Sequence, residues 1–169
     1  VDPETSYGIY RALSRRSGGC FVASASDPYN LQRFLDAQTP LIERVFLELN
    51  EGKKQSHWMW FVFPQIKGLG YSSTSIEFAI SSRREAEAYL EHLILGSRLR
   101  QCTQLVNEIV DRSIDEIFGY PDDMKFQSSM TLFAACAPEE KVFHTALWKY
   151  FGGKVDQRTI ELMSSPGCG

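Results

Sequence analysis

From Asp27 onward, apolar residues recur at the three- and four-residue intervals of helices packed on one core. Asp27-Pro28 places a capping residue before a proline suited to a first helical turn, and Leu31, Phe34 and Leu35 follow. Thr39-Pro40 repeats the device, and Leu41, Ile42, Val45, Phe46 and Leu49 form one stripe ending at Gly52. A residue before proline avoids the α region, so two helices are predicted here rather than one. Ser56–Gln65 breaks the rhythm, with Trp58, Trp60, Phe61 and Phe63 crowded together and Pro64 closing the run. Side chains of this size bury large apolar areas, so the segment is predicted to form a buried helical wall carrying His57 and Gln65 as its polar groups.

Pro64 to Ser75 reads as an ordered loop. Ser82-x-x-Glu85 is a capping box opening a helix over 83–92. A longer helix is predicted from about Ser97, with Leu99, Cys102, Leu105, Val106, Ile109 and Val110. Ser113-x-x-Glu116 starts a short helix stopped by Gly119, and 122–137 sets Phe126, Met130, Phe133 and Ala137 in register. Pro138 is predicted to open a helix ending at Gly152-Gly153, and a last short one covers about 156–163. No strand-type alternation persists for five residues, and no repeat period appears. The prediction is an all-α, irregular single-domain bundle of about seven or eight helices over 27–163. Residues 1–26 read as a poorly structured leader or linker with one short helix around Tyr7–Leu13, and 164–169 as a flexible tail. The predicted core comprises Phe34, Val45, Phe46, Trp58, Phe61, Leu105, Ile109, Phe133, Phe143 and Leu147.

Composition narrows the function. The 169 residues carry a formal charge of −3 and no Lys/Arg block, which argues against gripping a nucleic acid strand. Cys20, Cys102, Cys136 and Cys168 have no metal-type spacing, and no metal or cofactor is predicted. Cys102 and Cys136 fall at helical core positions. No apolar run approaches the roughly 20 residues of a membrane span, and no secretory leader is evident. A soluble, cytoplasmic protein is expected, with no membrane partner; the oligomeric state is left open.

Three constellations hold polar chemistry. His57, placed one turn before Trp60 and Phe61, has the side chain whose charge changes most easily near neutrality; the alternative is a core histidine satisfied by a backbone carbonyl. In the loop Gln65–Ser75, Gly68 and Gly70 permit close backbone approach, and Ser72 and Ser75 precede free helix N–H groups. That loop is neither a Walker loop nor a Rossmann turn, and its glycines can equally serve as turns. In Tyr120–Thr131, Asp122, Lys125 and Ser129 share one helix face beside Phe126 and Met130. Such groups can do acid/base or nucleophilic work, or Asp122 and Lys125 can form an ordinary surface pair. No G-x-S-x-G elbow, H-E-x-x-H or kinase set is present.

Several long motifs are linked: Asp27 to Phe34, Ser56 to Gln65, Ile80-Ser-Ser, Ile117 to Lys125, Ser128 to Phe133 and Tyr150 to Gly153, with Asp156. Together they resemble the family called domain of unknown function 1810, sometimes mislabelled calpastatin, over about 27–163. The resemblance implies a mainly helical domain and carries no established activity. Its motifs are rich in polar groups that a core does not need, which favours a functional role for the second and third constellations.

Two functions fit. The first is a small intracellular enzyme, of hydrolase or glycosidase type, acting on a nucleotide-like or ADP-ribose-like ligand. His57, Asp122, Asp123 and Lys125 would be catalytic, and Trp58, Trp60, Gln65, Gly68, Gly70, Ser72, Ser75, Ser128 and Ser129 would hold the substrate. The cations Lys67, Arg83, Arg84, Arg98 and Lys125 could serve one small anionic molecule. The second is a non-catalytic binding module using an aromatic-lined pocket for a peptide or small molecule. In either case His57, Asp122–Lys125 and the Gly68–Ser75 loop are predicted to meet at one cleft.

Overall fold

The computed structural model describes residues 27–165, so the predictions for Tyr7–Leu13, Cys20, Cys168 and most of the tail lie outside the described residues. Among these residues there are ten helices and no strand: α1 Gln32–Gln38, α2 Ile42–Asn50, α3 Met59–Val62, α4 Ser73–Glu77, α5 Arg83–Glu91, α6 Leu95–Glu108, α7 Ile114–Phe118, α8 Asp122–Cys136, α9 Lys141–Phe151 and α10 Gln157–Ser164. The all-α class follows from the periodicity. The number of helices exceeds the predicted seven or eight because two are too short to show a period. One turn of helix, α3, sits inside the aromatic run, and α4 sits inside the glycine–serine loop.

Helix α8 is the hub, with α5, α7, α9 and α10 packed on it, while α6 joins α2, α5 and α9. Phe126 and every residue from Ser128 to Ala134 are buried. A helix enclosed on most sides has no polar face, so its hydroxyls need internal partners. Ser128 Oγ donates to Asp156 Oδ2 at 2.9 Å, and Thr131 Oγ1 accepts from Asp156 N–H at 2.9 Å. Asp156 also caps α10. Edge-on rings fill the space between α3, α7 and α8: Phe63 meets Phe126 at 4.9 Å, and Trp58 meets Phe118 at 6.2 Å. Such pairs add about 0.5–1.5 kcal/mol beyond area burial.

Local signals set several helix ends. Ser113 and Glu116 form the full capping box of α7. Ser82 caps α5, but Glu85 does not reach back to its N–H. Its carboxylate accepts instead from Ser81 N–H at 2.8 Å and Ser81 Oγ at 2.5 Å, and pairs with Arg33 at 2.6 Å. Arg33 also donates to the Glu77 and Ala79 carbonyls, drawing α1 and the segment after α4 together.

Other starts are shifted. Asp27 accepts from Leu31 and Gln32 N–H, so the chain makes a turn before α1. Glu140, not Pro138, is the residue at the N-cap of α9, and α6 begins at Leu95, ahead of Ser97. Seven of the ten predicted core residues are buried, while Phe46, Leu105 and Ile109 lie half-buried at the edge of the cluster.

The end of α6 is tied to both ends of α9. Tyr150 Oη donates to Val106 O at 2.5 Å, Lys149 Nζ donates to the carbonyls of Asn107 and Ile109, and Asn107 Nδ2 donates to Val142 O at 2.9 Å.

Candidate functional site

Between α2 and α3 the chain crosses from Gly52 to Trp58 without regular structure. Lys54 N–H donates to Ile117 O at 2.8 Å, so this loop is laid against α7. From α7 the chain passes through Gly119, the cis peptide Tyr120–Pro121 and the first turn of α8. Asp122 stands in that turn and meets two amines. Its Oδ2 lies 2.7 Å from Lys54 Nζ, and its Oδ1 lies 2.8 Å from Lys125 Nζ. The three side chains retain only 14%, 8% and 21% exposure respectively, which sets this cluster apart from a solvated surface pair.

Each amine also faces an indole. Lys125 Nζ is 4.4 Å from the Trp60 ring centre, and Lys54 Nζ is 5.4 Å from that of Trp58. A cation over a ring is worth about 0.5–2 kcal/mol, rising with desolvation. Burial pushes the Asp122 carboxyl up, but hydrogen bonds from Lys125 and Lys54 outweigh it and hold the group below the usual aspartate range. Two amines thus share one carboxylate at hydrogen-bond distance, at the positive end of a 15-residue helix. The adjoining Tyr120 ring is 82% exposed.

The loop is anchored by a second carboxylate, on α2. Glu48 is 4% exposed and accepts from Gln55 N–H, Ser56 N–H, Ser56 Oγ, Trp58 Nε1 and Arg44 Nε. Burial raises its pKa, and the bonds from Ser56, Gln55 and Trp58 bring it down to about 2. Neither Glu48 nor Lys54 was among the predicted site residues. Glu48 lies inside an amphipathic helix and Lys54 beside Lys53, where sequence shows only a polar face. The one available signal was the indole of Trp58, a donor that needs a buried acceptor.

The predicted residues separate into three groups. Trp60, Asp122 and Lys125 come together. Asp123 is half-buried, and its enclosed Oδ1 accepts no hydrogen bond. His57 is exposed in the loop and precedes α3, so the predicted helical spacing from His57 to Trp60 does not exist.

The remaining positions make packing, backbone or capping contacts. Trp58 has no exposed surface and is a core ring, not an open stacking face. Gln65 is half-buried, and its carbonyl accepts from Ile80 N–H beside the isolated parallel bridge of Ile66 and Ile80. Gly68 faces Leu162 of α10, Gly70 lies against Ser75, and Ser72 caps α4 through Ser75 N–H. Ser128 is bound to Asp156, and Ser129 is fully buried with its hydroxyl unpaired.

The cations are dispersed as well: Arg83 pairs with Glu87, and Arg98 donates to Gln38. Four surface cavities of about 180 to 420 Å³ lie elsewhere, and none of these four is lined by His57, Gln65, Ser72, Ser75 or Asp122–Lys125. Among the described residues no helix is long and apolar enough to cross a membrane.

Comparison with known proteins agrees with this helical domain. The model of a family described as protein of unknown function (DUF1810) matches residues 28–163. The chain is similar to the crystal structure of the conserved hypothetical protein Rv1873 from Mycobacterium tuberculosis. Identity is 51% over 83% of this chain and 100% of that one, with a TM-score of 0.81. No curated protein matches the chain.

Proposed function

The chain belongs to the DUF1810 family, and from that premise we propose that it binds a compact anionic ligand carrying a flat ring, of nucleotide-like or ADP-ribose-like chemistry, at Lys54, Asp122 and Lys125. One observation carries this: two largely buried amines converge on a single carboxylate. A structural pair needs one cation, and a second held at the same oxygen set is a charge available to an arriving phosphate. Trp60 and the exposed Tyr120 supply ring faces nearby for a base or nicotinamide. Lys125 is the more accessible amine and makes the first contact, turning from Trp60 toward the ligand, while Lys54 stays anchored.

Calorimetric titration with ADP-ribose, AMP and pyrophosphate tests this on the wild type, Lys54→Met and Lys125→Met. Loss of one charged hydrogen bond should weaken binding about tenfold or more. No heat at millimolar ligand, or undiminished binding in both variants, removes the proposal. Chromatography of the same mixtures reports turnover. Cleavage abolished by His57→Ala would give the protein the hydrolase role, with the exposed imidazole on the Lys54 loop as its acid/base group. Binding without product leaves it a binding module.

A further inference from the structure

The loop that delivers Lys54 is neither helix nor strand, and apart from the one bond to α7 its backbone has few partners of its own. The N–H groups of Gln55 and Ser56 instead end on Glu48 Oε2, at 2.8 and 3.1 Å, and Ser56 Oγ ends on Glu48 Oε1 at 2.6 Å. Trp58 Nε1 joins Oε2 at 2.8 Å, and Arg44 Nε joins Oε1 at 3.0 Å. The backbone of the same residue contributes too, since Lys53 N–H donates to Glu48 O at 3.0 Å. Lys54 N–H itself is tied to Ile117 O of α7, and the residues on either side of it are held by Glu48, chiefly by its buried carboxylate.

We propose that Glu48 is a positioning residue for the lysine–aspartate site: it touches neither Asp122 nor the ligand, and acts by fixing the loop that holds the Lys54 amine. This rests on the assignment of that site to an anionic ligand. Five donors on two oxygens require a group that only accepts. A glutamine of the same shape offers one oxygen and an NH₂ that faces donors. In Glu48→Gln at least one oxygen's set of donors is left unmatched, and the loop relaxes away from α2. Lys54 then loses its fixed approach to Asp122, whereas Lys125, carried on α8 itself, keeps its own.

Selective acetylation of lysines, read by peptide mass spectrometry, tests this without a ligand. In the wild type Lys54 is shielded, at 8% side-chain exposure. In folded Glu48→Gln, acetylation of Lys54 should rise about tenfold while that of Lys125 changes less than about twofold, the scale set by losing one charge-assisted bond. Titration with ADP-ribose adds the functional arm. Glu48→Gln should weaken binding about tenfold, and Glu48→Gln with Lys54→Met should bind no more weakly than Lys54→Met alone, because both act on one contact. Should Glu48→Gln fail to fold, Ser56→Ala removes a single donor and should raise Lys54 acetylation about threefold, the scale of a bond worth well under a tenfold factor.

Unchanged Lys54 acetylation in a folded variant, an equal rise at Lys125, or additive losses of affinity would each overturn the proposal. Absence of binding in the wild type would overturn the ligand assignment alone, and the acetylation result would still decide the part played by Glu48.

Discussion

Replacing Asp122 with asparagine keeps the shape of the cluster and removes its only bonded carboxylate. Lys125, with 21% of its side chain exposed, can swing into water; Lys54, at 8%, cannot do so without moving its loop. The cost is therefore that of one enclosed amine left without a counter-charge. Breaking a buried pair costs about 3–5 kcal/mol, and the partial access of the second lysine lowers this to about 2–4 kcal/mol. For a chain of this length that corresponds to a fall of roughly 5–15 °C in Tm.

Chemical denaturation followed by circular dichroism measures the loss. The acid dependence has a definite sign. The folded-state pKa of Asp122 is lowered, so its stabilisation is complete above the usual value of 3.8 and is lost as pH falls through the lowered one. Wild type and Asp122→Asn should accordingly differ most near neutrality and converge at acid pH. Adding Lys54→Met to Asp122→Asn removes the orphaned amine and should return part of the loss. A difference below about 1 kcal/mol, equal at every pH, would show that the amines are solvated and refute the reasoning.

Two further outcomes are expected from packing. Phe133, fully buried on α8 between Tyr89 and Phe143, should cost about 3–5 kcal/mol when cut to alanine, by the same denaturation assay. Gly96→Ala would set a Cβ 2.0 Å from the Leu90 carbonyl oxygen, where nothing flexible can yield. The helix start must shift, with a loss above about 2 kcal/mol and release of the bond from Arg100 to Leu90, visible as a changed amide spectrum around α5 and α6.

Helical character was legible because its signals are local. Ser113 and Glu116 cap α7 from within four residues, and Gly152 ends α9 with a positive φ of 61°. Helix in the aromatic run was expected, but α3 begins only at Met59, past His57; α4 was not legible, since a single turn shows no period and exists here because Ser72 caps it. Part of the lysine–aspartate cluster was legible. Asp122 and Lys125 share a helix face and could be paired from spacing, and Trp60 was picked out for its size. Lys54 depends on Asp122, a distant partner that the fold brings to it, while Glu48's donors are near in sequence and only the Trp58 indole hinted at them. Trp58 shows the opposite error: ring size marks a residue worth burying, but does not tell a core ring from a pocket wall. The Gly68–Ser75 loop was read as ligand-facing, yet its glycines meet Leu162 and Ser75, and Ser72 caps α4.

The way α6 and α9 finish each other bears on how the chain opens and closes. A helix whose last carbonyls end in water frays from that end without troubling its neighbours. The last carbonyls of α6 end instead on Tyr150 and Lys149, some 40 residues along the chain, and Val142 is held in return by Asn107. Fraying of either helix strips polar partners from the other, so the two lose protection together. The entropy of closing the intervening loop is spent once for both. They form a single cooperative block, and α7 and the whole of α8 lie between its two halves in the chain.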